Sequence, residues 1–342
     1  MEKKRNTERP LGENSAPRAP LTQQQLDQAK EAAGKVGIGI DELTAIYILN
    51  SVKYLGPQSF KELHEAGLRP IDACADPSVL PTKGLRGDKI RAALRATLAG
   101  GDTLLRERAA RQILAAHKHR AEIVTYSHPA YPPNLFRSNY PAPLLYVCGS
   151  VSVLLLTRAV ACVGTRKIRL PYIEWEQEFV RCACADDFVV VSGFAMGADS
   201  VGHEQAWKLH GKTICVMPSG LDRPFPPENR GLWKNLLEYE GAAMVSESPF
   251  GTSASSLTLR KRNKLIVALA SGVLVAQSSD KGGAMNAYRF ALEQRKPIAT
   301  FAPEDKPDTT GNRVIQNNPD GAVLTPDKGE YSLWLRKLYS SI

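Results

Sequence analysis

The chain has 342 residues, of which 43% are hydrophobic and 23% charged, the balance of a globular protein with ample length for a packed core and one to three domains. Its formal net charge of +9 favours an acidic partner such as nucleic acid without requiring one. The longest strongly apolar run, 265–276, is interrupted by Ser271 and Gly272 and falls short of the roughly 20 residues of a membrane span, so no membrane-spanning helix is expected.

Residues 1–20 carry Lys3, Lys4, Arg5 and Arg9 around Pro, Asn and Glu, with no apolar centre. They read as a disordered tail and not as a secretory signal. Residues 21–100 read as a helical domain, its first helix opening at the cap Thr22. Asp41 precedes Leu43, Ile46 and Leu49 at helical spacing and marks a second start. Two glycine turns follow, Leu55-Gly56-Pro57-Gln58 and Lys83-Gly84-Leu85-Arg86-Gly87-Asp88-Lys89, leading into helices over 60–63 and 90–98. Glycine turns that feed helices are the layout of helix–hairpin–helix DNA modules, but here Gly84 and Gly87 are separated by two residues instead of one. A small helical domain with glycine C-caps fits the same residues.

Residues 101–150 read as a connector and the start of a sheet. A charged helix over 104–117 leads to Ile123-Val124-Thr125 and then to the prolines of 131–146, which disfavour regular helix and predict an extended path ending in an edge strand over 144–147. From 158 onward, strand patterns at 159–163, 188–191, 213–217, 242–246, 272–277, 297–301 and 322–324 alternate with helical patterns near 171–186, 199–210, 228–240, 257–270 and 283–295. That alternation predicts βαβ units, hence an α/β fold with a parallel sheet covered on both faces over 151–342. Ligands on such sheets bind beyond the carboxyl ends of the strands, where this chain places its unusual loops.

The first loop is Gly164-Thr165-Arg166-Lys167 and the second Ser192-Gly193-Phe194-Ala195-Met196-Gly197-Ala198-Asp199. Small residues between a strand end and a helix start present free N–H groups and the positive end of a helix dipole, an anion pocket to which Arg166 adds a fixed charge. The glycines at 193 and 197 are four apart, so this is not the dinucleotide fingerprint. Asp199 is expected to cap the next helix by accepting from N–H groups near 201 and 202, and His203 to be a packed helix histidine. A third loop, 219–229, holds Arg223 and Asn229. A fourth, 248–251, precedes Arg260, Lys261, Arg262, Asn263 and Lys264, four cations placed at a helix N-terminus, where an anion would offset their conflict with the macrodipole. The fifth, 279–286, brings Lys281, Gly282 and Gly283, whose paired glycines allow close backbone approach to a ligand. Six cysteines show no C-x-x-C pair, no metal set emerges, and Cys162 and Cys215 read as buried thiols of a reducing cytoplasm.

Taken in order, these elements resemble the bacterial DNA-processing family called DprA, or Smf. The resemblance runs from Tyr131-Pro132 and Pro143-Leu144-Leu145-Tyr146 through Val163-Gly164-Thr165-Arg166 and the 192–199 loop. It continues through Gly220-Leu221-Asp222, Phe225-Pro226, Asn229, Ser246-Glu247 and Arg262-Asn263-Lys264-Leu265-Ile266 to Gly311-Asn312 and Gly321-Ala322. It implies an extended Rossmann-like domain behind an N-terminal domain of SAM or helix–hairpin–helix type. It further implies a homodimer that binds single-stranded DNA and hands it to the recombinase RecA, with no cofactor, metal or catalytic residue. Phosphate contact would fall on Arg166, the 192–197 loop, Lys264 and neighbours, with Phe194 or Phe225 available to stack a base. The chain departs from the pattern at Pro227, where many members have lysine, at Lys281-Gly282-Gly283-Ala284, and in ending without the winged-helix domain of longer members. Arg223 or Arg230 is the candidate substitute for that lysine. The alternative reading is a nucleotide-signal-sensing domain of the SLOG type in bacterial defence. A phosphoribohydrolase is disfavoured because the loop from Gly282 lacks the third glycine and the glutamate which that chemistry needs.

Overall fold

A computed structural model of the chain describes residues 19–339, so most of the expected tail lies outside the described residues. The chain divides into two units, one holding 19–34 and 38–114 and the other 35–37 and 115–339.

In the first unit the helix Gln23–Val36 opens as the sequence predicts: Thr22 Oγ1 accepts from the Gln25 amide at 3.2 Å, and Gln25 Oε1 accepts from the Thr22 amide at 3.0 Å. These reciprocal bonds satisfy two N–H groups that the first turn leaves free. The helix Ile40–Ser51 starts one residue before Asp41 and buries Leu43, Ile46 and Leu49. Gly56 caps Pro57–Glu65, with proline at the first helical position, where its missing donor is harmless. The expected second glycine turn is corrected: 84–89 form the opening of the helix Gly84–Ala99. Gly87 is required there because a Cβ would overlap the Thr82 carbonyl oxygen.

The second unit is built on nine strands: β1 (Ala121–Thr125), β2 (Leu144–Gly149), β3 (Ala159–Val163), β4 (Val189–Ser192), β5 (Lys212–Val216), β6 (Ala242–Ser246), β7 (Gly272–Val275), β8 (Ile298–Phe301) and β9 (Gly321–Leu324). They form one sheet in the order β1-β2-β6-β5-β4-β3-β7-β8-β9. From β3 onward neighbouring strands are parallel, with Ala161 in register with Val191 on one side and Val273 on the other. The segment expected to be an edge is internal: β2 lies antiparallel between β1 and β6, and β1 takes the edge. The prolines before it permit one short helix, Pro133–Arg137, because proline stands at its first position.

The central strands are apolar throughout because both faces are covered. Val160, Cys162, Val190 and Phe301 pack on one face with Phe179, Ala206 and Trp334 from the helices Tyr172–Ala185, Ala198–Lys208 and Lys328–Tyr339. Ala161, Val163, Val191 and Val275 pack on the other, under Leu265 and Ala287 from Ser256–Leu269 and Ala284–Glu293. The α/β fold expected from the alternation, Rossmann-like as the resemblance implies, is the fold observed. Chain order runs outward from β3 to β6 on one side and from β7 to β9 on the other, which leaves a crevice between the carboxyl ends of β3 and β7.

Candidate functional site

That crevice is a cleft of about 540 Å³. Gly164, Thr165, Arg166 and Lys167 line it from the end of β3, and Ser278, Ser279, Gly282 and Gly283 from the end of β7. Ala195 and Asp199 enter from the β4 loop, and Arg260, Arg262 and Asn263 from the helix Ser256–Leu269. The loops are joined through backbone. The Thr165 amide donates to the Gln277 carbonyl at 2.7 Å, and the Ala198 amide donates to the Thr165 carbonyl at 3.1 Å. Gly197 sits at φ +81°, and a Cβ on it would overlap the Thr165 carbonyl oxygen. Glycine is therefore demanded twice, by backbone conformation and by close approach.

Of two further supports of this wall, Arg169 carried no sequence signal, whereas Asn312 stood in the Gly311-Asn312 pair of the resemblance. The Arg169 amide donates to Gln277 Oε1 at 3.1 Å, while its guanidinium pairs with Asp308 at 2.7 Å and Glu304 at 2.9 Å. A lone arginine in a loop gives no hint of partners more than a hundred residues ahead. Asn312 Oδ1 accepts from the Ser278 amide at 2.8 Å, and its Nδ2 donates to the Ala276 carbonyl at 2.9 Å, fixing the start of the β7 loop.

Of the residues expected from the sequence to contact a nucleic acid, eleven line the cleft: Gly164, Thr165, Arg166, Lys167, Ala195, Asp199, Arg260, Arg262, Asn263, Gly282 and Gly283. The others stand elsewhere. Ser192 is buried and donates to the Cys162 carbonyl, and Gly193 is buried beneath the guanidinium of Arg262. Phe194 is fully buried at φ +63°, its ring 5.9 Å from both His203 and Trp233, so it offers no face to a base in this conformation. Asn229 is also buried and donates to the Phe194 carbonyl at 2.8 Å, which makes it a latch on that loop. Arg223 donates to Ser253 Oγ at 2.9 Å. Lys264 lays its ammonium 5.6 Å from the Tyr140 ring and 5.3 Å from the Phe290 ring, and Lys281 is exposed on its loop; neither lines the cleft.

Two electrostatic expectations are corrected. The cations at 260–264 begin a full turn inside a helix capped by Ser255, whose Oγ accepts from the Thr258 amide at 3.2 Å. Their conflict with the macrodipole is small, because that field falls off within the first turn. Asp199 does not cap 201 and 202: its Oδ2 accepts from the Ala195 amide at 3.2 Å and faces Arg262 Nη1 at 3.6 Å, each side chain only 8% exposed. Burial raises the Asp199 carboxyl above its ordinary range, opposed by the Arg262 charge, and burial likewise lowers Arg262. His203 is packed in its helix, as expected, with Nδ1 2.7 Å from Thr213 Oγ1; burial lowers it to about 3, so it is neutral at physiological pH. The cations left open to an anion in the cleft lining are Arg166, Lys167 and Arg260, all exposed. Cys162 and Cys215 are fully buried free thiols. Among the described residues no cluster of three His, Cys, Asp or Glu side chains is arranged to hold a metal.

A doubly covered, mostly parallel sheet with glycine loops and exposed cations at its switch point defines a Rossmann-like protein with a cationic cleft. The sequence profile of the family described as DNA recombination-mediator protein A matches residues 122–328, and the chain belongs to that family. Protein Smf of Escherichia coli strain K12 is 31% identical over 202 residues, which cover 58% of this chain and 53% of that protein; the chain thus spans about half the length of such curated relatives. The X-ray structure of DNA processing protein A from Streptococcus pneumoniae matches the fold with a TM-score of 0.61 at 21% identity, over 83% of this chain and 95% of that one. DNA processing protein A from Helicobacter pylori, whose structure is described for its single-stranded DNA binding mode, matches with a TM-score of 0.57 at 21% identity, over 64% of this chain and 96% of that one.

Proposed function

We propose that this chain captures single-stranded DNA through its phosphates, independent of sequence, at the cleft between β3 and β7. The observation that carries the reading is the convergence of Arg166, Lys167 and Arg260 with two glycine loops at one switch point. Exposed cations and loop amides suit phosphate oxygens, which carry no sequence information. The reported DNA binding of the Helicobacter relative supports the same ligand class. Within this proposal the protein works in the cytoplasm as a homodimer, protects the strand and loads a RecA-type recombinase onto it during recombination or transformation. The helical unit, as a SAM or helix–hairpin–helix type module, assists. The reading is one of binding, in which the buried acid of the cleft, Asp199, is paired with the guanidinium of Arg262.

One observation favours a second reading. At about 540 Å³ the cleft is within the size range of small-ligand pockets, so a nucleotide signal is its natural competitor. Competition separates the two. A labelled single strand bound to the protein is challenged with unlabelled single strand, duplex and mononucleotides. DNA capture predicts displacement by single strands of any sequence, weaker displacement by duplex, and none by mononucleotides at equal phosphate. Displacement by one mononucleotide in preference to strands contradicts it and supports the sensor.

A further inference from the structure

The cations of the cleft fall into two groups by burial. Arg166, Lys167 and Arg260 are exposed, whereas the Arg262 side chain is 8% exposed and has its guanidinium turned into protein. Its Nη1 stands 3.6 Å from Asp199 Oδ2 and donates to the Val216 carbonyl at 3.4 Å. It also lies directly over Gly193, where any Cβ would overlap it and would approach Asp199 Oδ2 to 2.7 Å. Asp199 in turn accepts from the Ala195 amide at 3.2 Å. One guanidinium thus ties the helix after β6 to the end of β5 and to the loop after β4. That loop reaches the β3 loop through the Ala198 amide and the Thr165 carbonyl.

We propose that Arg262 is a positioning residue and not a phosphate ligand: acting through Asp199, it holds the 193–199 loop, and with it the Thr165-Arg166 turn, in the shape that receives an anion. The inference rests on the phosphate-binding reading of the cleft. It explains an otherwise awkward feature, a carboxylate lining a pocket built for anions: Asp199 is already engaged by the loop amide and the guanidinium.

The two roles predict opposite signs for one near-isosteric change. If Arg262 met phosphate directly, Asp199→Asn would remove a repelling negative charge, free Arg262 and tighten single-stranded DNA binding. If Arg262 positions the loop through Asp199, the same change weakens the bonds holding the loop and loosens binding about tenfold, within the range expected when a buried group loses a hydrogen-bond partner. The slope of log affinity against log salt stays at the wild-type value, since no phosphate contact is lost. Tighter binding by Asp199→Asn, unchanged binding, or a slope reduced as far as in Arg166→Ala would each overturn the proposal. Hydrogen exchange of the 193–198 amides decides it without DNA. Faster exchange in Asp199→Asn and in Arg262→Lys, in chains that still unfold cooperatively, is the expected result, and wild-type protection in both contradicts it. If the wild-type chain binds no single strand, the functional reading fails while the exchange measurement still judges the positioning role.

Discussion

Glu176 shows what a single side chain contributes against the fold. It sits in the helix Tyr172–Ala185 with no exposed surface, and neither carboxyl oxygen has a hydrogen-bond partner. Burial, and secondarily the charge of Asp199, push its pKa well above the ordinary 4.5. A carboxyl raised in the folded state stabilises the protein fully below the unfolded value. That contribution is lost as pH rises toward the folded value. Glu176→Gln removes this penalty, so its melting temperature should exceed that of wild type at pH 8. The gap should narrow as pH falls toward 4, as thermal unfolding across that range would read; a gap that is constant or widens on acidification contradicts the assignment. Residue identity also set the limits of sequence reading. Arg166 was legible because it directly follows a small-residue loop at a strand end. Arg262 and Lys264 were not separable, since a run of cations reads as one patch until helical phase sends one inward to Asp199 and the other over Tyr140 and Phe290.

At the scale of elements, the strand–loop–helix units place the cleft, and Gly197 lets two of its loops meet. Gly197 meets a positive φ and a carbonyl of the neighbouring loop at once. Gly197→Ala should cost about 1–3 kcal/mol in stability from the backbone conformation alone. Urea unfolding is the check, and a cost near zero would mean that the loop adopts another conformation. The same loop shows why Phe194 misled. An aromatic residue in a glycine-rich loop reads as a base-stacking platform, but its own left-handed backbone turns the ring into the core against Trp233. The parallel strands and their helices were legible because an apolar run ending in small residues has few other meanings. The antiparallel position of β2 was not, since nothing local to 144–149 states which strands will flank it. The 84–89 segment likewise reads as a turn from its two glycines, and only the close pass of the Thr82 carbonyl gives Gly87 its place inside a helix.

At the scale of the whole molecule, the formal charge of +9 and the reversal of strand order between β3 and β7 serve the same end. In the proposed function the first raises the local concentration of a polyanion, and the second gives its phosphates a place to settle. Membership of the DNA recombination-mediator protein A family fits both. The central claim is that backbone phosphates are held at Arg166 and its neighbours, and the most direct measurement is the affinity for a fluorescent single strand across a salt series, in wild type and Arg166→Ala. The account predicts wild-type binding that weakens steeply with salt, and a folded variant that binds more weakly with a slope shallower by about 0.7, the loss of one phosphate contact on a single strand. A folded wild type without affinity for single strands, or a variant that keeps wild-type affinity and slope, would contradict it.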